Sequence, residues 1–253
     1  MTHLKTPEEI EIMTEGGRRL AAVLRRLEEA VRPGVTTQDI DRLAYDLITA
    51  GGDRPSFLHY RPEGAERPYP ATICISLNDV IVHGTPSPDG IIREGDLVKL
   101  DLGLIHGGFH LDAARTVAVG KVSLEAKRLI AATRKALTAA VAAARPGHTL
   151  GDIGFAVQTL AQKEGFSVAQ GLTGHGIGRS LHEDPPVFNF GRPGSGEEIR
   201  EGMVLAIEPM INAGGAAIRE RKDESYATRD GSLSAHFENT VAITKKGPRI
   251  LTE

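Results

Sequence analysis

The chain lacks tryptophan, has a single cysteine and contains no long uninterrupted apolar run. The lone Cys74 excludes an intramolecular disulfide and fits a reducing compartment. No apolar stretch approaches the roughly 20 residues that a membrane span needs, and the N-terminus has no apolar signal region. We therefore expect a cytoplasmic protein that does not associate with membranes.

An excess of charge of either sign is also missing. The 30 Lys and Arg residues are nearly matched by 33 Asp and Glu residues, for a net charge of -3, and both signs are scattered along the chain. Without a basic stripe, no nucleic-acid specificity is expected. The 253 residues are 40% hydrophobic and can bury the core of one large domain or of two intimate halves.

Helix signals punctuate the chain. Thr6-Pro7-Glu8-Glu9 combines an N-cap, a proline at the first helical position and a glutamate three residues beyond the cap, and this helix should end near residues 32–34. The same signals predict a second helix from about Thr37 to Ala50 and a long alanine-rich helix over residues 123–144.

Two segments occur twice in the same order. "RPGVTTQDI" from residue 32 returns as "RPGHTLGDI" from residue 145, and "IREGDLVKLD" from residue 92 returns as "IREGMVLAIE" from residue 199. The competing interpretation is that helix ends and strand starts simply reuse Pro-Gly and Glu-Gly turns. Because both repeated strands finish on an acid, we favour an internal duplication, which would bring Asp101 toward Glu208. The predicted organisation is a single catalytic domain, 1–253, with related halves over about 1–120 and 121–253.

A second acid follows in the run "LVKLDLGLIHGGFHLDAARTVAVG", which has the apolar content of two strands. His106-Gly107 falls where a two-residue hairpin turn would lie, which places Asp101 directly opposite Asp112. Like charges in facing positions are destabilising, and the apolar neighbours argue against an exposed, solvated pair. Since hard cations prefer oxygen ligands, the hairpin predicts a divalent metal.

Two further candidates could complete a ligand set. "GLTGHGIGRSLHEDPP" places His175 in a glycine-rich turn, and "SLSAHFENTVAIT" places Glu238 inside a strand. Alone, each is weak, because a lone histidine is more often hydrogen-bonded than metal-bound and a lone strand glutamate usually faces water.

Together with their flanks "DLGLIHGGFHLD", "GLTGHGIGRSLHE", "AIEPMI" and "SLSAHFENTVAIT", these residues resemble the methionine aminopeptidases of the bacterial type I class. The similarity runs from the first helix to the last strand. It implies an α+β pita-bread fold, in which two pseudo-symmetric α/β halves surround a curved antiparallel sheet. It also implies metal-dependent removal of the initiator methionine from nascent polypeptides whose second residue is small.

The resemblance implies two divalent ions, for which Co, Mn, Fe, Zn and Ni all stay open. Asp101 would bind one ion, His175 and Glu208 the other, and Asp112 and Glu238 would bridge both, with Glu208 also accepting the proton of water. His83, in "CISLNDVIVHG", would hydrogen-bond near the scissile amide nitrogen, and His182, in "SLHEDPP", would hydrogen-bond the substrate carbonyl. We expect a monomer that acts on nascent N-termini, and the family role suggests docking at the ribosome.

Departures from the family pattern concentrate in the expected methionine pocket, for which the resemblance selects Tyr60, Tyr69, Cys74, His83, Leu181 and His182. The stretch from Arg61 to Arg67 looks like an insertion, Leu181 replaces a frequent phenylalanine, and the aromatic residue common near Tyr226 is missing because the chain has no tryptophan.

Three alternatives stay open. Prolidases and aminopeptidases P carry the same five ligands but typically have a further N-terminal domain. Type II methionine aminopeptidases have an insertion between the ligand histidine and the following glutamate. A metal-free pita-bread binding protein would have lost ligands, whereas all five are present here.

Overall fold

The computed structural model describes residues 2–61 and 66–253. Four helices are arranged as two pairs: α1 (Pro7–Ala30) with α2 (Thr37–Ala50), and α3 (Leu124–Ala143) with α4 (Leu150–Lys163). The predicted starts are confirmed, because Thr6 and Glu9 form a reciprocal capping box at α1, and Thr36 and Asp39 form another at α2. No helix of the described residues is long and apolar enough to cross a membrane.

Fifteen strands are described, and every ladder between them is antiparallel. The strands are β1 (Arg54–Pro55), β2 (Ile73–Leu77), β3 (Val80–Val82), β4 (Leu97–His106), β5 (Phe109–Ala118), β6 (Ser167–Val168), β7 (Thr173–Gly176), β8 (Glu183–Phe188), β9 (Val204–Ile207), β10 (Met210–Asn212), β11 (Ile218–Glu220), β12 (Tyr226–Thr228), β13 (Ser234–His236), β14 (Asn239–Thr244) and β15 (Gly247–Ile250). Ladders β1-β4-β2, with β5 on β4, and β15-β14-β9-β7-β8 form the two largest groups. This mixture of helices and antiparallel strands is the α+β pita-bread fold, and the predicted fold class is confirmed.

The β4–β5 hairpin has a different register from the predicted one. Gly107 and Gly108, with φ of 56° and 84°, form the two-residue turn, so Asp101 pairs with Ala114 and Gly103 with Asp112. The facing-pair prediction is therefore wrong. A turn with two positive φ values selects the Gly-Gly pair over His-Gly, because glycine takes this conformation without steric cost. Asp101 and Asp112 are instead diagonal neighbours, and they share one face of the hairpin because side chains alternate along each strand.

The repeated sequence segments make equivalent backbone contacts. Gly34 donates to the carbonyl of Ile92, and at the matching positions Gly147 donates to Ile199. The strand bridges Thr36–Ile91 and Thr149–Glu198 likewise occupy matching positions. The duplication, with its boundary near residue 120, remains our interpretation of these repeated segments.

Two large hydrophobic clusters underlie the sheets, beside a smaller third cluster around Ile81 and Met210. One packs α1 and α2 against β2, β4 and β5, and the other packs α3 and α4 against β9 and β14. Burial of this apolar surface is the main driving force for folding. The helices thus cover one side of the strands, and the polar side chains that the strands direct to the other side line a cavity.

Candidate functional site

One cavity of about 320 Å³ contains every residue predicted for the site. Its described lining includes Tyr60, Tyr69, Cys74, His83, Asp101, Asp112, His175, Leu181, His182, Glu208 and Glu238. These residues come from at least six separate segments of the chain. Convergence on one cavity is the arrangement expected of a binding or catalytic site.

The carboxylates are brought together by hydrogen bonds between β5 and residues 238–240, at the start of β14. Asp112 exchanges hydrogen bonds with Thr240, through Thr240 Oγ1, while the Glu238 N–H donates to the Ala114 carbonyl at 3.0 Å. Since Ala114 also pairs with Asp101, this one small residue lies between Asp101 and Glu238. The prediction that Glu238 lies inside a strand is wrong, because it lies between β13 and β14, where the chain passes from one ladder to the next. Glu208 follows β9 directly.

Burial strongly disfavours ionisation of these acids. It raises the pKa of Asp101 to about 6, an effect that His236 and a hydrogen bond with Asp112 partly oppose. Burial, followed by the charges of Glu238, Asp101 and Glu208, raises the pKa of Asp112 well above its ordinary value. The pKa values of Glu208 and Glu238 are raised for the same reasons, with burial the larger cause. Buried like charges at this density require a cation or bound protons.

The donor set fits a divalent cation. Asp112 Oδ1 and Glu238 Oε1 are buried without a hydrogen-bond partner among the described residues. Ligand atoms of Asp112, His175 and Glu238 all lie within 4.8 Å of one another. Carboxylate oxygens with one imidazole are ligands for first-row divalent metals, so these orphaned oxygens have a chemical explanation.

His175 is oriented as a ligand would be. It lies in β7 and not in the predicted glycine-rich turn, because Gly174 and Gly176 are extended residues of that strand. Its Nδ1 is 2.8 Å from the Gly176 carbonyl, so Nδ1 carries the proton and the Nε2 lone pair is free, 3.8 Å from Glu208 Oε1. Desolvation, with the neighbouring His182, lowers the pKa of His175 to about 3 and keeps the imidazole neutral.

His83 and His182 line the cavity where it is open, and both side chains are exposed to it. The Tyr60 hydroxyl lies 2.8 Å from His182 Nδ1. When Tyr60 donates this bond, Nε2 of His182 carries the proton and can donate to another group. Desolvation lowers the pKa of both histidines, more so at His83, where His182 and His236 also contribute.

The backbone at His83 is held in an unfavourable conformation. Its φ is 61°, in the left-handed region that residues other than glycine rarely occupy. The next residue, Gly84, packs so closely that an added Cβ would lie 2.3 Å from the Ile75 carbonyl oxygen. The Tyr69 hydroxyl lies within hydrogen-bond distance of two carbonyls, 3.0 Å from that of Ile73 and 3.1 Å from that of Gly84, and its single proton is shared between them, which ties this turn to β2. These contacts hold the backbone of His83 in its unfavourable conformation, in which the His83 ring lines the cavity.

An apolar wall lies beside the acids. Tyr60, Tyr69, Cys74 and Leu181 form it together with Phe57, which the sequence analysis missed. The Tyr69 hydroxyl is satisfied by backbone carbonyls, so its ring is available as apolar surface. Of the suspected insertion at Arg61–Arg67, residues 62–65 lie outside the described part of the chain, whereas Arg67 lines the cavity.

The rim is acidic on one side. Asp223 and Glu224 line the cavity mouth, and Glu224 is 3.5 Å from Arg67. Tyr226 lies in the region where the family's aromatic residue is missing, and its ring packs edge-on against that of His83, with 5.8 Å between the ring centroids. Although the chain has no tryptophan, Tyr226 makes an aromatic contact with His83.

His236 was also missed, although a signal was present. It stands two residues before Glu238, and residues two apart share a face of an extended chain. Its Nε2 lies 3.5 Å from Glu208 Oε2, and its side chain is buried.

Comparisons with known proteins agree with this geometry. Residues 11–245 match metallopeptidase family M24. The chain is 44% identical to a methionine aminopeptidase of Clostridium acetobutylicum, a match that covers 100% of this chain and 99% of the relative. Its fold matches the crystal structure of methionine aminopeptidase from Rickettsia prowazekii with a TM-score of 0.95 and 38% identity over 100% of both chains. A prolidase from Pyrococcus furiosus matches with a TM-score of 0.78 and 25% identity, over 99% of this chain and 65% of the prolidase.

Proposed function

The chain belongs to metallopeptidase family M24 and, within it, to the methionine aminopeptidases, and on that premise we propose that it removes the initiator methionine from nascent polypeptides whose second residue is small. The observation that carries the proposal is the convergence of five acidic or imidazole ligands, two exposed histidines and an apolar wall in one cavity. An Xaa-Pro peptidase is not favoured, since the prolidase match is weaker in both identity and fold.

Family membership implies divalent metal binding, and we propose two ions. Asp101 would hold one, His175 and Glu208 the other, and Asp112 and Glu238 would bridge them. The unpartnered oxygens and the free Nε2 of His175 support this assignment. When bound, such ions lower the pKa of a water molecule and polarise the scissile carbonyl.

The remaining chemistry is assigned to residues of the chain. Glu208 accepts the proton of the attacking water, a role suited to a carboxylate at the edge of the ligand set. His182 donates from Nε2 to the substrate carbonyl oxygen as negative charge develops there, because Tyr60 holds its Nδ1. His83, neutral at pH 7 because its pKa is lowered, hydrogen-bonds near the scissile amide nitrogen.

The apolar wall would receive the methionine side chain. Thioethers fit irregular apolar surfaces, and Phe57, Tyr60 and Leu181 with the Tyr69 ring offer such a surface. We expect His83 and its strained turn to leave little room for the second residue. We further propose a monomer in the cytoplasm, with nascent chains at the ribosome as its source of substrate.

The test compares peptides that differ only in the second residue. Protein treated with chelator and reloaded with Mn²⁺ should release methionine from a Met-Ala peptide quickly and from a Met-Leu peptide very slowly. An Ala-Pro peptide serves as the control for Xaa-Pro activity and should not be cleaved. Comparable rates on Met-Ala and Met-Leu would refute the proposed specificity, and cleavage of only the Ala-Pro peptide would refute the proposed function.

A further inference from the structure

His236 is a buried polar side chain for which the proposed mechanism has no role. It is 1% exposed, and neither of its ring nitrogens has a hydrogen-bond partner among residues 2–61 and 66–253. A polar group buried in this way costs free energy, and such groups in native proteins call for an explanation. An apolar residue would fill the same space without that cost.

The backbone of His236 is held by two hydrogen bonds with one side chain, that of Thr116. The His236 N–H donates to Thr116 Oγ1 at 2.9 Å, and the same hydroxyl donates to the His236 carbonyl at 2.7 Å. Ser234 lies two residues before His236, and its carbonyl accepts a hydrogen bond from the buried side chain of Lys99 at 3.2 Å. These bonds attach β13 to β4 and β5, which carry Asp101 and Asp112. The direction of the His236 side chain is therefore set by the same hairpin that presents the acids.

The ring of His236 contacts a carboxylate oxygen of Glu208. His236 Nε2 lies 3.5 Å from Oε2, while His175 Nε2 lies 3.8 Å from Oε1. The carboxylate is thus placed between two imidazoles, one on each oxygen. The Asn189 side-chain amide donates to the Glu208 backbone carbonyl at 2.9 Å, so the main chain of this residue is also held.

We propose that His236 is a positioning residue: a small closure of the 3.5 Å gap between its Nε2 and Glu208 Oε2 forms a hydrogen bond that fixes the plane of this carboxylate and leaves Oε1 beside His175 for metal. The two nitrogens that face Glu208 then differ in protonation. His175 presents a lone pair because its proton is on Nδ1, whereas His236 presents a proton. Carboxylates that bind metal are commonly oriented by such a donor, and loss of the donor typically weakens metal affinity or activity about 10- to 100-fold.

The inference deepens the proposed function and rests on it. It makes a claim about one atom, which permits a sharp test. A glutamine side chain can place its amide nitrogen near the position of Nε2, whereas the shorter asparagine places its amide nearer to Nδ1. His236→Gln should therefore keep the donor to Glu208, and both His236→Asn and His236→Leu should lose it.

The measurement is titration of chelator-treated protein with Mn²⁺ by calorimetry, with thermal melting in chelator recorded for each variant. We expect His236→Leu and His236→Asn to bind Mn²⁺ about 10- to 100-fold more weakly than wild type, and His236→Gln to stay within about threefold. His110→Gln is the matched control, because His110 Nδ1 contacts Ser56 and not the carboxylates. This control should bind Mn²⁺ like wild type.

The two ideas fail separately. Wild-type protein that binds no Mn²⁺, or that releases no methionine from Met-Ala peptides, overturns the proposed function. Wild-type metal affinity in His236→Leu, or equal affinities in the Gln and Asn variants, overturns only the role of His236. A purely structural role predicts that metal affinity falls in proportion to the melting temperature in chelator, with no advantage for glutamine over asparagine.

Discussion

Asp101→Asn should stabilise the metal-free protein at neutral pH even though it removes a proposed metal ligand. Burial raises the pKa of Asp101 from 3.8 to about 6. Between pH 3.8 and about 6, this carboxyl binds more protons in the folded state than in the unfolded state. Its contribution to stability is therefore present below pH 4 and is lost as pH rises through 6. At pH 7.5 the ionised group costs about 3 kcal/mol, from 1.36 kcal/mol per pKa unit.

Asparagine has nearly the same shape and no charge, so this substitution removes that cost. For a chain of this size, about 3 kcal/mol corresponds to roughly 6 to 12 °C in melting temperature, an upper value because the amide must find its own hydrogen bonds. At pH 4 the aspartate is largely protonated in the folded protein, and the difference should fall below about 1 kcal/mol. With saturating Mn²⁺ the order should reverse, because wild type gains binding free energy that the variant loses.

The assay is thermal melting of wild type, Asp101→Asn and the exposed control Asp89→Asn in chelator at pH 7.5 and pH 4, repeated with Mn²⁺. Asp89→Asn should change none of the melting temperatures appreciably. If Asp101→Asn melts at or below the wild-type temperature in chelator at pH 7.5, or if the difference does not depend on pH, the electrostatic argument is refuted.

Three further predictions concern catalysis and the fold. His83→Ala and His182→Ala should bind Mn²⁺ almost normally but have a lower kcat. The decrease should be about 10²- to 10³-fold for His182→Ala, because His182 donates to the developing oxyanion. Loss of stoichiometric metal binding by either variant would contradict its proposed role. Tyr60→Phe should lower kcat by about tenfold with unchanged Mn²⁺ affinity, since only the partner of His182 Nδ1 is lost, and a change confined to KM would argue that Tyr60 acts as pocket wall alone. Gly108→Asn should be tolerated, whereas Gly107→Asn should lower the melting temperature. Both residues have positive φ, but a Cβ at Gly107 would lie 2.5 Å from Ile12 Cγ2. Equal melting temperatures of the two variants would contradict the observed turn.

Local features of the fold could be predicted from the sequence because short-range physics determines them. The capping boxes at Thr6 and Thr36 are formed by residues three apart, and the helices start where those residues indicate. The existence of the β4–β5 hairpin followed from two apolar runs around a glycine-containing turn. Its register did not follow, because His106-Gly107 and Gly107-Gly108 are both sequence candidates and the difference between them depends on backbone conformation.

The error in register did not separate Asp101 from Asp112. The observed register moves the partner of Asp101 by two residues, from Asp112 to Ala114, and a shift of two keeps every side chain on the same face. The common face of the two acids was therefore determined by strand alternation alone. Their ordered occurrence with His175, Glu208 and Glu238 was sufficient to identify the family before any distance was known.

Only the tertiary structure decided what surrounds those residues. Glu238 reaches Asp112 because residues 236–240 are hydrogen-bonded along β5, 120 to 128 positions away in the chain. The same pairing buries His236 beside Glu208, and the fold brings Tyr60 to His182. Sequence patterns report the local conformation and the preferred face of a segment, whereas contacts between distant segments depend on how whole faces pack. For that reason the proposed metal ligands could be named from the sequence, whereas the contacts of His236 with Glu208 and of Tyr60 with His182 could not.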